Sequence, residues 1–236
     1  MSTSEKIDLS RIHIFSGLNS LELNIIANSC RQEMYQSGDK IIDQMSNTQE
    51  VYFIAEGAVR ITNLTSSGKE VTLEILDKNK CFGELAAIDG GKRSSSVTAI
   101  KASLIFSMSA MDFQKILKEH SSVAQKVMVM MASVIRTSCE RITELVTLGA
   151  NARVLAELMK KIDEQRRDTV ANEIYVENFP THSEIARRAS TTRETVSRVL
   201  SALAKKNIIL RQGTSLKILD VSVLQRTLIN LSESDC

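Results

Sequence analysis

The scarcities of this chain narrow its identity first. It holds one proline, Pro180, and four widely scattered cysteines, Cys30, Cys81, Cys139 and Cys236. Their spacing makes neither a C-x-x-C metal half-site nor a disulfide framework, so reduced thiols are expected. No apolar run reaches the roughly 18 residues of a membrane span. The opening MSTSEKIDLS lacks the basic-then-apolar layout of a secretory signal, which predicts a cytoplasmic protein with no membrane partner. Charge of one sign is also lacking: 30 Lys and Arg stand against 28 Asp and Glu, a net +2. That balance excludes a uniformly basic nucleic-acid coat and leaves room for a local patch. An ordered Ser/His/Asp set, metal-spaced ligands and a P-loop are all missing, which points away from an enzyme. What remains is 236 residues, 43% hydrophobic and 25% charged, the profile of a globular protein of one or two domains.

Up to about residue 108 the pattern is β-rich. Ser20 to Ser29 reads as a short helix with Leu21, Ile25 and Ile26 on one face, followed by a Ser37-Gly38-Asp39 turn. Strands are expected at Val51 to Ala55, at Ala58 to Asn63 after Gly57, and at Val71 to Leu76 after the turn Ser66-Ser67-Gly68-Lys69. Two more follow at Ser94 to Ile100 and Leu104 to Met108. Strands joined by glycine-containing turns predict hairpins, and several in a row predict a small barrel or sandwich. From Ser109 the pattern turns helical, first to His120 and then from Ser121 to Leu148. In the longer piece Ala124, Met128, Met131, Ile135, Ser138, Ile142 and Leu145 form a heptad seam. A stripe that narrow suits a paired helix better than a core-facing one, so a homodimer is expected, its helices parallel or antiparallel. Ser138 is the polar member of the seam, beside Thr137 and Cys139, and a buried hydroxyl there needs a partner.

A Gly149-Ala150-Asn151 break precedes a helix from Arg153 to Glu164 with Val154, Leu155, Leu158 and Ile162 inward. A polar stretch, Arg166 to Asn178, contains a strand candidate at Ile174 to Val176, and Pro180 then holds Phe179 extended. Thr181 and Glu184 have capping-box spacing, as do Thr191 and Glu194 after the small-residue turn Ala189-Ser190. Two helices so close, the second running to Lys205 with Val196, Val199, Leu200 and Leu203 inward, predict a helix-turn-helix. Ile208 to Leu210, a turn at Arg211 to Thr214, and Leu216 to Leu219 add a two-stranded wing. Between Thr181 and Lys217 there are 8 basic residues against 2 acidic ones, so the basic surplus is local. Arg193 and Arg198 flank the start of the second helix, where a guanidinium fork can donate to guanine O6 and N7. Glu194 can accept from cytosine N4, serve the cap, or do both. His182 and Ser183 begin the first helix, placed either for a phosphate contact or simply in solvent.

The stretch from Phe82 to Ala99 reads as a strand end, Gly83, one helical turn, a Gly90-Gly91 loop, then Arg93 entering a strand. Gly83 permits close backbone approach, free helical N–H groups favour an anion, and Arg93 can pair with a phosphate. Glu84 is an acceptor fit for ribose hydroxyls.

Two motifs resemble one family. The run Thr192-Arg193-Glu194-Thr195-Val196-Ser197-Arg198-Val199-Leu200 resembles the recognition helix of the CRP/FNR family of bacterial transcription regulators. Phe82-Gly83-Glu84-Leu85, with Arg93-Ser94-Ser95 nine residues after Glu84, resembles the phosphate cassette of cyclic-nucleotide-binding domains. The resemblance implies an α+β fold: an N-terminal cyclic-nucleotide-binding β-barrel of jelly-roll type at 1–120, a long dimerisation helix and hinge at 121–149, and a C-terminal winged helix-turn-helix at 150–236. It implies that Arg193, Glu194 and Arg198 read bases of a TGTGA-like half-site, with Thr181, His182, Ser183, Thr192 and Thr195 near phosphates of double-stranded DNA. In the cassette, Arg93, the Ser94 and Ser95 amides and the Ser94 hydroxyl would hold a cyclic phosphate. Glu84 and the Gly83 backbone would hold the ribose, Leu85 would line the site, and Ser138 with Cys139 would reach the base across the dimer. The ligand implied is cyclic AMP, with cyclic GMP as the alternative, since Ser94 can donate to either; RNA polymerase is the further partner implied.

Departures from the family pattern are Ser190, where glycine is frequent, Asn79-Lys80 in place of Gly-Asp, and Cys139 in place of a hydroxyl. An iron–sulfur cluster needs four thiolates, several near the N-terminus, and the first cysteine is Cys30; haem needs an axial ligand that His13, His120 and His182 do not obviously supply. Neither cofactor nor a metal is therefore expected. The alternative left open is a constitutive or other-ligand regulator of the same family with a non-responsive cassette.

Overall fold

The computed structural model describes residues 8–65, 68, 70–165 and 173–234. They form two compact units that divide between Ser133 and Val134.

In the first unit a short 3₁₀ turn, His13–Phe15, precedes α1 (Ser20–Asn28). Asn19 caps α1, accepting from the Leu21 and Glu22 amides at 3.0 Å while the Glu22 carboxylate accepts from Asn19 N at 2.8 Å. Then come β1 (Cys30–Tyr35), β2 (Lys40–Ile42), β3 (Val51–Glu56), β4 (Ala58–Leu64), β5 (Glu70–Asp77), β6 (Cys81–Phe82), α2 (Glu84–Asp89), β7 (Ser96–Ala99), β8 (Ser103–Met108) and α3 (Ala110–Glu119). Helix α4 (Ser121–Thr147) follows.

Strand pairing is nested: β1 lies antiparallel to β8, β2 to β7, β3 to β6 and β4 to β5. Further pairs complete two four-stranded sheets, β1-β8-β3-β6 and β2-β7-β4-β5. This is jelly-roll topology, a long hairpin folded over on itself, and the expected barrel takes the form of these two sheets. The strands flanking Gly57 do not form the expected hairpin. Instead β3 and β4 belong to different sheets, and Gly57 (φ 95) carries the chain across where an added Cβ would meet Ser103 Oγ at 2.1 Å. The β4–β5 hairpin does form; of its turn, Ser66, Ser67 and Lys69 lie outside the described residues.

β3 is apolar on both faces, as a fully covered strand should be. Tyr52 and Ile54 join Ile42, Val59, Phe82 and Val97 in one core drawn from both sheets. Val51 and Phe53 join Phe15, Phe106, Phe113 and Val123 in the other. Helix α1 corrects the sequence reading: Ile26 is buried, but Leu21 and Ile25 are 76% and 69% exposed. The packing face is Leu23, Ile26 and Ala27, at helical i, i+3, i+4 spacing, which turns the other two outward. On α4 the buried side chains are Val123 and Val127, while seam residues Met128, Ile135, Ile142 and Leu145 are exposed within the single chain.

The second unit contains α5 (Ala150–Gln165), β9 (Ile174–Val176), α6 (His182–Arg188), α7 (Arg193–Lys205), β10 (Ile209–Gln212), β11 (Ser215–Ile218) and α8 (Val221–Ser234). The break before α5 is shorter than expected, because Arg153 N already donates to Gly149 O at 3.0 Å and helix geometry begins at Ala150. Val154, Leu155, Leu158 and Ile162 pack with Ile185, Val196, Leu200 and Leu203 into one core. The wing gains a third strand, in the order β10-β11-β9; residues 166–172 ahead of β9 lie outside the described residues. Helix α8, which the sequence reading did not anticipate, anchors on Val221 and Leu224.

Candidate ligand cassette and nucleic-acid interface

The cassette is built around α2. Gly83 caps it with φ 79, a left-handed position, and Gly90 (φ 72) ends it. A Cβ on Gly83 would lie 2.7 Å from Arg93 Nη1 and 3.0 Å from Glu50 O, so the glycine makes room for the arginine. Arg93 is only 2% exposed. Its Nε donates to Thr48 Oγ1 at 2.9 Å, Nη1 to Gly83 O at 2.8 Å and Nη2 to Glu50 O at 2.8 Å, with the Glu50 carboxylate 3.4 Å from Nη2. The guanidinium also lies 5.7 Å from the centre of the Tyr52 ring, which stacks on Phe82. A guanidinium has five N–H groups, and the protein takes up most of them here. Burial pushes the Arg93 pKa down while Tyr52, Glu50 and Glu84 oppose that shift. Burial likewise raises the Glu84 carboxyl, against its own backbone N–H and Arg93.

Ser94 is exposed and Ser95 half-buried. With its amide turned to suit both ends, the Asn63 nitrogen donates to Ser95 Oγ at 2.8 Å and Ser94 O at 3.1 Å. Leu85 is 45% exposed on α2. Gly83 and Arg93 are thus in direct contact, Glu84 is close enough to act on the Arg93 charge, and Ser94 and Ser95 follow Arg93 beside Asn63 of β4. Ser138 and Cys139 are exposed on the part of α4 that belongs to the second unit, and Cys139 is a free thiol.

In the helix-turn-helix, Thr181 caps α6: its amide donates to Glu184 Oε2 at 2.7 Å and its hydroxyl accepts from Glu184 N at 3.3 Å. The Thr181 amide, then the hydroxyl, hold the Glu184 carboxyl below its usual range. His182 and Ser183 occupy the first turn, with His182 Nε2 3.4 Å from Arg211 Nη1 on the wing. Burial, then Arg211 and Arg193, hold the His182 pKa down.

The cap of α7 differs from expectation. Thr192, not Thr191, is the extended residue that accepts from Thr195 N, at 3.2 Å; Thr191 stays in the turn, its amide donating to Ala186 O at 2.9 Å. Glu194 is released from the expected capping box, and its carboxyl, at the helix start, is held low first by its own backbone N–H and then by the Thr192 hydroxyl. Thr195, expected near a phosphate, is buried, its hydroxyl 3.1 Å from that of Thr192 and accepting from Arg198 Nη2 at 3.4 Å. Arg193, Glu194, Ser197, Arg198 and Ser201 line one open hollow of about 430 Å³ on α7. Among the described residues no cluster of His, Cys, Asp or Glu is suited to a metal ion.

The chain matches two family models, a cyclic nucleotide-binding domain at residues 32–120 and a Crp-like helix-turn-helix domain at 152–227. It is 26% identical to the cyclic AMP receptor protein of Thermus thermophilus over 93% of this chain and 98% of that one. It is 24% identical to the cAMP-activated global transcriptional regulator CRP of Escherichia coli over 80% of this chain and 90% of the relative. The crystal structure of the Thermus thermophilus catabolite activator protein covers 92% of this chain and 99% of its own at 26% identity, with a TM-score of 0.54. The chain belongs to the CRP/FNR family.

As a CRP/FNR member it is a DNA-binding transcription regulator with a cyclic-nucleotide-binding domain, in a family of regulators rather than enzymes. Among the described residues no helix is long and apolar enough to cross a membrane. Several residues of the two sites escaped the sequence reading. Thr48, Glu50 and Tyr52, which hold Arg93, come from a segment far upstream, and no local motif marks them. Arg211 was legible as one basic residue of a wing; its place beside His182 was not.

Proposed function

We propose that this regulator is a homodimer that binds cyclic AMP, with cyclic GMP as the alternative ligand, and so controls its affinity for a pseudo-palindromic, TGTGA-like site. The observation that carries the reading is the contact of Arg93 with Gly83 at the start of α2, beside Glu84 and followed directly by Ser94 and Ser95, in a chain whose α7 holds Arg193, Glu194 and Arg198 in the open. Residues 1–120 act as the sensor, 121–149 as the dimerising helix and 150–236 as the DNA-binding domain. The exposed seam Met128, Ile135, Ile142 and Leu145 supplies the apolar face for a second copy. Ser138 on that seam and its neighbour Cys139 meet the ligand base, while Arg93 and the two serines take the phosphate and Glu84 the ribose. Two-fold symmetry sets the recognition helices about one DNA turn apart, where Arg193, Glu194 and Arg198 read bases and Thr181, His182, Ser183 and Thr192 approach phosphates. Ligand acts by binding more tightly to the dimer arrangement that fits this spacing. The protein works in the cytoplasm, with RNA polymerase as its partner at the promoter.

The test is titration of cyclic AMP and cyclic GMP into the full chain by calorimetry, then of a palindromic TGTGA duplex with and without nucleotide. Bound nucleotide is expected to tighten duplex binding by about tenfold or more. Absence of nucleotide binding, or duplex affinity that ignores saturating nucleotide, overturns the ligand control. One observation favours a second reading, a constitutive or other-ligand regulator: Arg93 already donates to Thr48, Gly83 and Glu50, so an incoming phosphate must compete with the Glu50 carboxylate.

A further inference from the structure

Two arginines with no part in the cassette or the base-reading face grip the helix-turn-helix turn from behind. Ser190 closes that turn at φ 48, a left-handed conformation that glycine takes freely and serine does not. Arg153, in the first turn of α5, donates through Nε to Ala189 O at 2.9 Å and through Nη2 to Ser190 O at 3.2 Å. Its Nη1 donates to Leu148 O. Arg141, near the end of α4, donates through Nη2 to Arg187 O at 3.0 Å and Ser190 Oγ at 3.3 Å. The acceptors at 187, 189 and 190 belong to the end of α6 and the turn, where the helix dipole favours cations; Arg187 O also accepts from Ser190 N at 3.3 Å. One turn beyond Arg141, Glu144 pairs with Lys160 of α5 at 2.7 Å, and Lys160 also reaches Glu157 at 3.2 Å. By these bonds the last turns of α4 are fastened to the DNA-binding unit directly, not only through the Gly149 corner.

We infer that Arg141 is a positioning residue for base reading. Through Arg187 O and the Ser190 hydroxyl it fixes the turn that sets the angle between α6 and α7, and hence the register at which Arg193, Glu194 and Arg198 meet base edges. The two helices keep their own core of Ile185, Val196, Leu200 and Leu203, so the fold does not depend on Arg141. The turn leans on it more, because Ser190 itself is exposed and left-handed, held between the buried Ala189 and the Thr191 amide to Ala186 O by polar ties of which Arg141 makes the one to its hydroxyl. This inference rests on the assignment of α7 to DNA and adds a residue that touches neither DNA nor ligand.

The full chain, Arg141→Ala, Arg141→Lys and Arg141→Ala/Ser190→Gly would be titrated against a duplex that the wild-type chain selects from a random pool and against a scrambled duplex of equal length. Arg141→Ala is expected to weaken the selected duplex about tenfold, the loss of charge-assisted bonds, while the scrambled duplex and the thermal midpoint stay unchanged. Adding Ser190→Gly should recover about threefold of that, because glycine takes the left-handed turn without strain. Arg141→Lys, a single point donor without the fork, should fall between. Equal loss on both duplexes, or none on either, overturns the inference; should Arg141→Ala not fold, the ratio of the two affinities for Arg141→Lys and Arg141→Gln decides. Failure of the functional reading looks different. A wild-type chain that selects no sequence removes base reading altogether and this inference with it, whereas selection that ignores cyclic nucleotide removes only the ligand control and leaves the Arg141 ratio to be judged on its own.

Discussion

The guanidinium of Arg93 is 2% exposed and aimed at Thr48, Gly83 and Glu50, whereas Arg193 and Arg198 stand on the open face of α7. The same side chain is used in opposite ways. In the cyclic-nucleotide-binding domain the charge is committed: it satisfies backbone carbonyls that would otherwise lose water without replacement, and Gly83 is left-handed to admit it. In the DNA-binding unit the charge is held out where salt screens it and a polyanion can claim it. The near-zero net charge of the whole chain averages over both uses and describes neither.

Breaking the comparison at its buried end should have the largest effect. Arg93→Ala leaves Gly83 O, Glu50 O and the Thr48 hydroxyl without their donor, and should cost the first unit about 3 kcal/mol in urea unfolding as well as any nucleotide response. A variant as stable as the parent would show that the buried arginine is not structural. At the exposed end, Arg193→Ala should leave the urea midpoint where it was and cost about 2 kcal/mol at one base position, measured by competition among single-base variants of the site. Uniform weakening across all those variants would instead mark Arg193 as a phosphate contact.

The smallest effect comes from pH. Burial, Arg211 and Arg193 hold His182 below its ordinary 6.5, so the free protein keeps it neutral at pH 7 and loses stability as pH falls through 6.5 and the ring charges. The DNA phosphate proposed beside the ring would reverse the preference, since it favours the cation. Affinity for DNA should therefore rise about threefold as pH drops from about 7.5 to about 6 in fluorescence anisotropy, and His182→Gln should flatten the profile. A profile that stays sloped in the variant would place the proton elsewhere.

What the residues reveal in advance depends on how local the physics is. Thr181 and Glu184 declare their cap because both bonds close within four residues, and the apolar face of α5 declares itself through helical spacing. Thr192 is the cap one residue after the Thr191 expected, in a turn where Ser190 is left-handed and the Thr191 amide is committed to Ala186 O across it. Leu21 and Ile25 illustrate a different limit: apolar spacing marks a face, but only the neighbours in the folded core, helices as well as strands, determine which face is covered. The Gly57 crossover and the partners of Arg93 were illegible for a third reason. Both depend on the nested pairing of strands, which no stretch of sequence carries by itself. The motif could name Arg93; it could not say that Glu50 stands beside it.

That nesting also sets a timetable. The innermost pair, β4 with β5, can close as soon as its turn is made, but Cys30 must wait for Met108 before the outermost pair can form. On a ribosome adding about 5–20 residues per second, β1 stays without its neighbour for on the order of ten seconds, and the large loop it closes slows the step further. A strand kept waiting that long is a template for other chains. Its central residues are Arg31, Gln32 and Glu33, exposed even in the finished sheet, so the segment that pairs last is also one that water can hold while it waits.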